Sequence, residues 1–236
     1  MKDTIYTIGY SGFRGNVERF IDTLKNNQIS VLIDVRSVAY SANFPEYNKD
    51  SLSKLLSENN IIYRNYAENF GAKQNNSEYF TAAKDIVHSG LFRFDGIAKT
   101  KRVDKEPLTP DDMIIDYDKF IKSDIFKAGV EKIKTILENN YTPVLMCSEK
   151  DPYGCHRNIM ISQALYYDYG YQIKHICFDK NDEIIILDQK NIEDKLISEF
   201  GQPSLLGGED IRTLYQRKNL YLGWKINARP DPYQQG

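Results

Sequence analysis

The chain reads as an α/β domain with a mainly parallel sheet flanked by helices in Rossmann-like layers. Two patterns predict this. Short, wholly apolar runs, the mark of strands buried on both faces, alternate with segments whose apolar residues recur at helical spacing. Most of these runs also stop abruptly on polar, chemistry-bearing residues, as strand ends in open parallel sheets do.

The first run, Thr4 to Ile8, passes through the glycine-bounded loop Gly9-Tyr10-Ser11-Gly12 into a stripe of Val17, Phe20, Ile21 and Leu24 at i, i+3, i+4 and i+7, one face of a helix. Val31-Leu32-Ile33 is the second strand and ends in Asp34-Val35-Arg36-Ser37. The resulting β-loop-α-β unit implies parallel strands with a crossover connection. A helix over Asp50 to Asn59 turns Leu52, Leu55 and Leu56 inward, and the strand Ile61-Ile62-Tyr63 then ends on Arg64. Residues 65–118 break the rhythm, with a predicted helix near Ser77 to His88 and a polar, proline-containing run from Lys99 to Asp112. An excursion of this length is read as an insertion over the sheet's edge or active face.

The pattern resumes with a helix near Ile125 to Asn139, presenting Val130, Ile133 and Leu137, and a strand from Pro143 to Met146. From Cys155 a helix runs through Ile161, Ala164 and Leu165 to a cap at Gly170. Ile173 to Phe178 and Glu183 to Leu187 form a hairpin about Asp179-Lys180-Asn181-Asp182, and a short helix follows from Ile192 to Phe200. Residues 1–200 are thus expected as one domain. Residues 201–236, rich in Gly, Pro and polar side chains with Arg212, Tyr215, Arg217, Tyr221 and Trp224 interspersed, are expected as a peripheral C-terminal arm.

Composition narrows the function classes. The 236 residues carry a net charge of −2, which argues against nucleic-acid binding by bulk electrostatics and leaves room only for a local basic cleft. No apolar stretch approaches a membrane span, and the N-terminus enters Ile5-Tyr6-Thr7-Ile8 without a signal-peptide pattern, so a cytoplasmic location is expected. Three cysteines do not make a disulfide framework in a chain this long. The 17 tyrosines suit stacking and wet interfaces, or simply cover a half-buried surface.

Reactive residues gather where the helix after the fourth predicted strand begins. The stretch from Cys147 to Arg157 holds two of the three cysteines and one of the three histidines. Chain order sets it beside the ends of the other strands, which deliver Gly9, Tyr10 and Ser11, then Asp34 and Arg36, then Arg64. Asp34, Glu149 and His156 are candidates to move a proton, and Cys155, at a helix start beside two potential cations, is a candidate nucleophile. Arg36 and Arg157 offer planar forks for an anion, or form internal ion pairs with Asp34 or Glu149. Arg64 and the Gly9 loop, with Tyr10 and Ser11, are assigned to ligand binding, and Cys147 to the pocket floor. His88 and His175 read as ordinary packing residues. No cofactor is expected. Cys147 and Cys155 lack a second close Cys/His pair, so the zinc spacings do not fit and no metal ligand is assigned. The Cys-x5-Arg anion loop fails as well, because the sixth residue after Cys147 is Tyr153.

Three blocks carry a family resemblance: Thr7-Ile8-Gly9-Tyr10-Ser11; Leu32-Ile33-Asp34-Val35-Arg36-Ser37; and Leu145-Met146-Cys147-Ser148-Glu149 with Pro152 and Cys155-His156-Arg157. In order and spacing they resemble the signature blocks of the bacterial and archaeal family called domain of unknown function 488. Ala39 stands where members usually have proline, and Asn69-Phe70-Gly71 matches the usual Leu-Gly-Gly loosely. The resemblance implies a compact α/β domain with a polar pocket built from these blocks, and no particular reaction.

The leading expectation is therefore an enzyme acting on a nucleotide or nucleic-acid component, its partner a small phosphorylated or anionic ligand or nucleic acid, with no membrane involved. A binding module without turnover, or a thiol or sulfur-transfer protein using Cys155, are the alternatives.

Overall fold

The computed structural model describes residues 3–86, 108–200, 210–223 and 225. A six-stranded sheet forms its centre, in the order β3-β2-β6-β1-β7-β8. Its strands are β1 (Thr4–Gly9), β2 (Val31–Asp34), β3 (Ile62–Asn65), β6 (Pro143–Cys147), β7 (Gln172–Phe178) and β8 (Ile184–Asp188). All neighbours pair in parallel except β7 with β8, the antiparallel hairpin. β2 and β6 are buried at every position, as their unbroken apolar runs require.

Helices cover both faces. Ile8, Leu32, Val144 and Met146 pack with Phe20, Ile21 and Leu24 of α1 (Val17–Asn26) and with Leu52 and Leu56 of α2 (Lys49–Glu58). Asn16 caps α1 by accepting from the Arg19 N–H at 2.8 Å. The alternate residues Ile5, Ile33 and Leu145 face the other layer. There the chain forms the one-turn helices α3 (Ala67–Phe70), α4 (Ala83–Ile86) and α5 (Tyr117–Phe120), then α6 (Asp124–Glu138), α7 (Gln163–Tyr167), α8 (Gln189–Phe200) and α9 (Ile211–Leu222). Phe126, Val130 and Ile133 of α6 and Leu196 of α8 join that core. Each fully buried leucine or isoleucine stabilises the fold by roughly 2 kcal/mol relative to exposure. Among the described residues, no helix is long and apolar enough to cross a membrane.

Three expectations change. The helix expected near Ser77 to His88 is instead a 3-10 turn at Ser77–Tyr79, the strand β4 (Phe80–Ala82) and α4. β4 pairs antiparallel with β5 (Met113–Ile115), a small second sheet that neither segment's apolar pattern signals alone. His88 and most of the run from Lys99 to Asp112 lie outside the described residues. The C-terminal segment is not all peripheral: α9 buries Leu214, Tyr215 and Leu220, and Asn219 accepts from the Tyr117 N–H at 2.8 Å while donating to the Ile115 carbonyl at 2.8 Å. Trp224 lies outside the described residues. Finally, the helix expected from Cys155 opens with a π-helical stretch, Arg157–Ser162, where the Ser162 hydroxyl donates back to the Arg157 carbonyl at 2.7 Å.

His175 is indeed a packing residue, held in a buried polar chain. Its Nδ1 lies 2.8 Å from the Thr7 hydroxyl and its Nε2 lies 2.9 Å from Gln189 Oε1. Gln189 in turn donates to Asn158 and to the Tyr215 hydroxyl, so its Oε1 is the acceptor and His175 carries its proton on Nε2. Burial holds the imidazole neutral and pushes its pKa down to about 3. Since the unfolded histidine titrates near 6.5, the native chain binds fewer protons between these values. This contribution is complete above pH 6.5 and is lost as the pH falls toward 3, a loss on the order of a few kcal/mol. Urea unfolding midpoints measured across that range are expected to fall less steeply with acid in a His175→Gln variant than in the parent; parallel curves would contradict the assignment.

Candidate functional site

The site forms where β2, β6 and β1 end side by side. Its framework begins at Gly9, where a Cβ would stand 1.8 Å from the Glu149 carbonyl oxygen. With no side chain there, the loop after β6 lies directly on β1, and the Ser11 N–H donates to the Ser148 carbonyl at 3.1 Å. Arg157, with no solvent exposure, holds the same loop from below by donating to the Glu149 carbonyl at 2.6 Å and the Lys150 carbonyl at 3.3 Å. Both terminal nitrogens of Arg157 are thus occupied by backbone, while its Nε is buried without a partner. Arg157 acts here as a loop clamp, as Gly9 acts as a packing site.

On the neighbouring strand, Asp34 and Arg36 form a closed pair. Arg36 Nε donates to Asp34 Oδ1 at 2.8 Å and Nη2 to Oδ2 at 2.6 Å, while the Arg36 backbone N–H reaches Oδ1 at 3.1 Å. The Tyr63 hydroxyl completes the shell of Asp34 at 2.8 Å, and the Tyr47 carbonyl accepts from Arg36 Nη2 at 2.8 Å. Asp34 therefore orients Arg36. The third guanidinium nitrogen, Nη1, is buried without a hydrogen-bond partner.

Arg36 lines an open cavity of about 330 Å³ together with Tyr10, Tyr40 and Lys73. Cys147, Glu149 and His156 reach the same cavity. Asp34, Ser11, Cys155, Arg157 and Gly9 stand behind this lining, and Arg64 is exposed on the edge strand β3, where it donates to its neighbour's carbonyl. Lys73 and Tyr40 escaped the sequence reading, because each lies in a loop with no periodic pattern. The only local signal was Lys73 heading the polar run that follows Gly71. Its backbone N–H is fixed by the Ser37 hydroxyl at 2.9 Å.

Behind the cavity four donor groups converge. The Cys147 and Cys155 sulfurs each lie 2.9 Å from the same oxygen, Oε2 of Glu149. His156 Nδ1 stands 3.7 Å from the Cys147 sulfur and 4.0 Å from that of Cys155. All four donor atoms lie within 4.8 Å of one another. The other ring nitrogen, His156 Nε2, sits 3.1 Å from the Val35 carbonyl, which accepts its proton and leaves Nδ1 facing the sulfurs; burial lowers the pKa of the imidazole but is outweighed by Cys147 and Glu149, which push it up to about 9. Burial pushes the Cys155 thiol well up, and Cys147 and Glu149 add to that rise. For Cys147 burial acts the same way but is outweighed by the Cys155 hydrogen bond and by His156, so its thiol shifts down. Both cysteines are buried, and of the two only Cys147 lines the cavity. None of the three cysteines is in a disulfide.

A model of the family described as Domain of unknown function DUF488 matches residues 16–93 and 96–164. The match contains the Asp34-Val35-Arg36 block and the Cys147 to Arg157 block, and begins after the Gly9 loop. No curated protein and no solved structure matches the chain.

The closed Asp34–Arg36 pair makes a specific demand. An Asp34→Asn substitution leaves a buried guanidinium without its counter-charge and is expected to cost about 3–5 kcal/mol in chemical denaturation. Tyr63→Phe, which removes one hydrogen bond to Asp34, is expected to cost only about 1 kcal/mol. Equal losses would mean that the pair is not the dominant contact.

Proposed function

The chain belongs to the DUF488 family, and from the site that its blocks build we propose that it is an enzyme acting on a nucleotide or a nucleotide-sized component of nucleic acid. The observation that carries this reading is Arg36, a cation that Asp34 fixes in the wall of the cavity and whose Nη1 is buried without an acceptor. An anionic ligand in the cavity complements a guanidinium held in this way. Lys73 lines the same cavity and adds positive charge. The volume, about 330 Å³, suits a small ligand better than a strand. Tyr40, 48 % exposed at the lining, offers a flat ring for a base.

In this reading Arg36 and Lys73 hold the phosphate, and Cys147, Glu149 and His156 face the reacting part of the ligand. Asp34 and Arg157 are positioning residues that act through Arg36 and through the Glu149 loop. A pocket that only bound its ligand would have little need for a thiol, a carboxylate and an imidazole reaching it from one loop and helix start, which favours turnover over a passive module. The sulfur-transfer alternative at Cys155 lacks the exposure that it requires.

Calorimetric titration with a panel of nucleoside monophosphates is expected to give saturable binding that inorganic phosphate displaces. Lys73→Ala is expected to weaken it roughly tenfold, about 1.4 kcal/mol. Glu149→Gln is expected to retain binding and abolish conversion of the bound nucleotide on long incubation. Absence of binding across the panel and to phosphate would overturn the proposal, and binding with no conversion by the parent chain would reduce it to a binding module.

A further inference from the structure

The geometry points to a tetrahedral site for a divalent metal of the zinc type, built from Cys147, Cys155, His156 and Glu149. It extends the reading above to a resident ion, and stands on observations that do not depend on any nucleotide.

The linear spacing that fails the zinc motifs is the wrong measure for donors gathered from different elements. Cys147 ends β6, Glu149 lies in the loop that Gly9 and Arg157 fix, and Cys155 and His156 open the helix on the far side of Pro152. Two thiolates, an imidazole and a carboxylate are a borderline-soft set that suits zinc over magnesium or calcium. Zinc bond lengths of about 2.0–2.3 Å set the edges of its coordination tetrahedron at about 3.3–3.8 Å. The sulfur–nitrogen separations of 3.7 and 4.0 Å fall close to those edges, and the sulfur–oxygen pairs, thiol-to-carboxylate hydrogen bonds at 2.9 Å, would open by roughly half an ångström as an ion displaces their protons.

A second observation is the tether on His156. A histidine that binds metal through one nitrogen ordinarily donates its other N–H to a carbonyl or carboxylate, which fixes the tautomer and aims the lone pair. The Val35 carbonyl does this at 3.1 Å, and Nδ1 points at the sulfurs.

The placement also says how such an ion would be used. Cys155 is sealed, whereas Cys147, Glu149 and His156 also line the cavity, so one face of the ion would look toward the bound ligand. Catalytic zinc sites keep three firm protein ligands and one replaceable position. Cys147, Cys155 and His156 are the firm set here. Glu149, the only oxygen donor and half-buried at the lining, is the ligand that a water or a ligand oxygen can displace.

The test is metal uptake by the full chain, reduced, stripped of metal and then titrated with Zn2+ or Co2+ in the absence of nucleotide. One ion per chain is expected. The cobalt form is expected to show thiolate-to-metal charge transfer and intense tetrahedral bands, and zinc-edge absorption to show two sulfurs at about 2.3 Å with two lighter donors at about 2.0–2.1 Å. Cys155→Ser and His156→Ala are expected to lower zinc affinity at least roughly a hundredfold, while Cys177→Ser, outside the cluster, leaves it unchanged. Failure of the reduced parent chain to retain metal, a shell without sulfur, or equal affinity in a folded Cys155→Ser variant would overturn the inference. Should a variant not fold, the parent chain's absorption data decide alone. Because no nucleotide is present, the outcome is separate from that of the nucleotide titration.

Discussion

The guanidinium of Arg157 is the contact on which the rest of the site depends. It lies at the start of the π-helical stretch, fully buried, and donates from Nη1 and Nη2 to the Glu149 and Lys150 carbonyls. These carbonyls belong to a loop with no regular structure, so no helix or strand partner fixes them and the arginine does. Gly9 supplies the complementary condition by leaving room for the Glu149 carbonyl against β1. One cation and one missing side chain therefore place Cys147, Glu149, Cys155 and His156 together, although they come from a strand end, a loop and a helix start. The π-helix that begins at Arg157 is closed by Ser162 on the Arg157 carbonyl, and π turns of this kind are frequent at functional sites.

Asp34 and Arg36 solve a different problem by the same means. A charge at the buried end of a central strand is tolerated only when paired and hydrogen-bonded, and Asp34 meets that condition with four donors from Arg36 and Tyr63. The guanidinium held in this way belongs to the cavity lining. Tyr10 lies under that guanidinium, 5.1 Å from ring centre to its central carbon, and is itself stacked on Tyr47 at 4.5 Å. The tyrosine-rich composition is thus spent in part on supporting the arginine.

Much of this was legible in the sequence, because buried parallel strands write themselves as unbroken apolar runs and amphipathic helices as a single stripe. Val31 to Asp34 and Pro143 to Cys147 are the clearest cases, and the hairpin about Asp179 to Asp182 follows from its turn residues. Of the candidate site residues, Tyr10, Arg36, Cys147, Glu149 and His156 line the cavity, since strand ends in such a sheet share one rim. The missing parts were those set by tertiary partners. β4 exists only through β5, α9 is held by Asn219 and a buried apolar face, and Lys73 reaches the cavity through a bond to Ser37. That Cys147 and not Cys155 lines the cavity is likewise set by tertiary structure, because helix position is visible in sequence and the cavity is not.

The position of β1 has a consequence for how the chain acquires its structure. Its neighbours in the sheet are β6 and β7, while β2, the next strand to be synthesised, lies on the far side of β6. The first strand to leave a ribosome therefore waits for both partners until the excursion and α6 have followed it. Closing such long loops carries an entropic cost that local contacts do not offset, so folding is expected to be slow and concerted. The N-terminal β-α-β segment cannot form a finished sheet ahead of the rest, and the Gly9 loop meets Glu149 only once β6 has slotted between the two strands made before it.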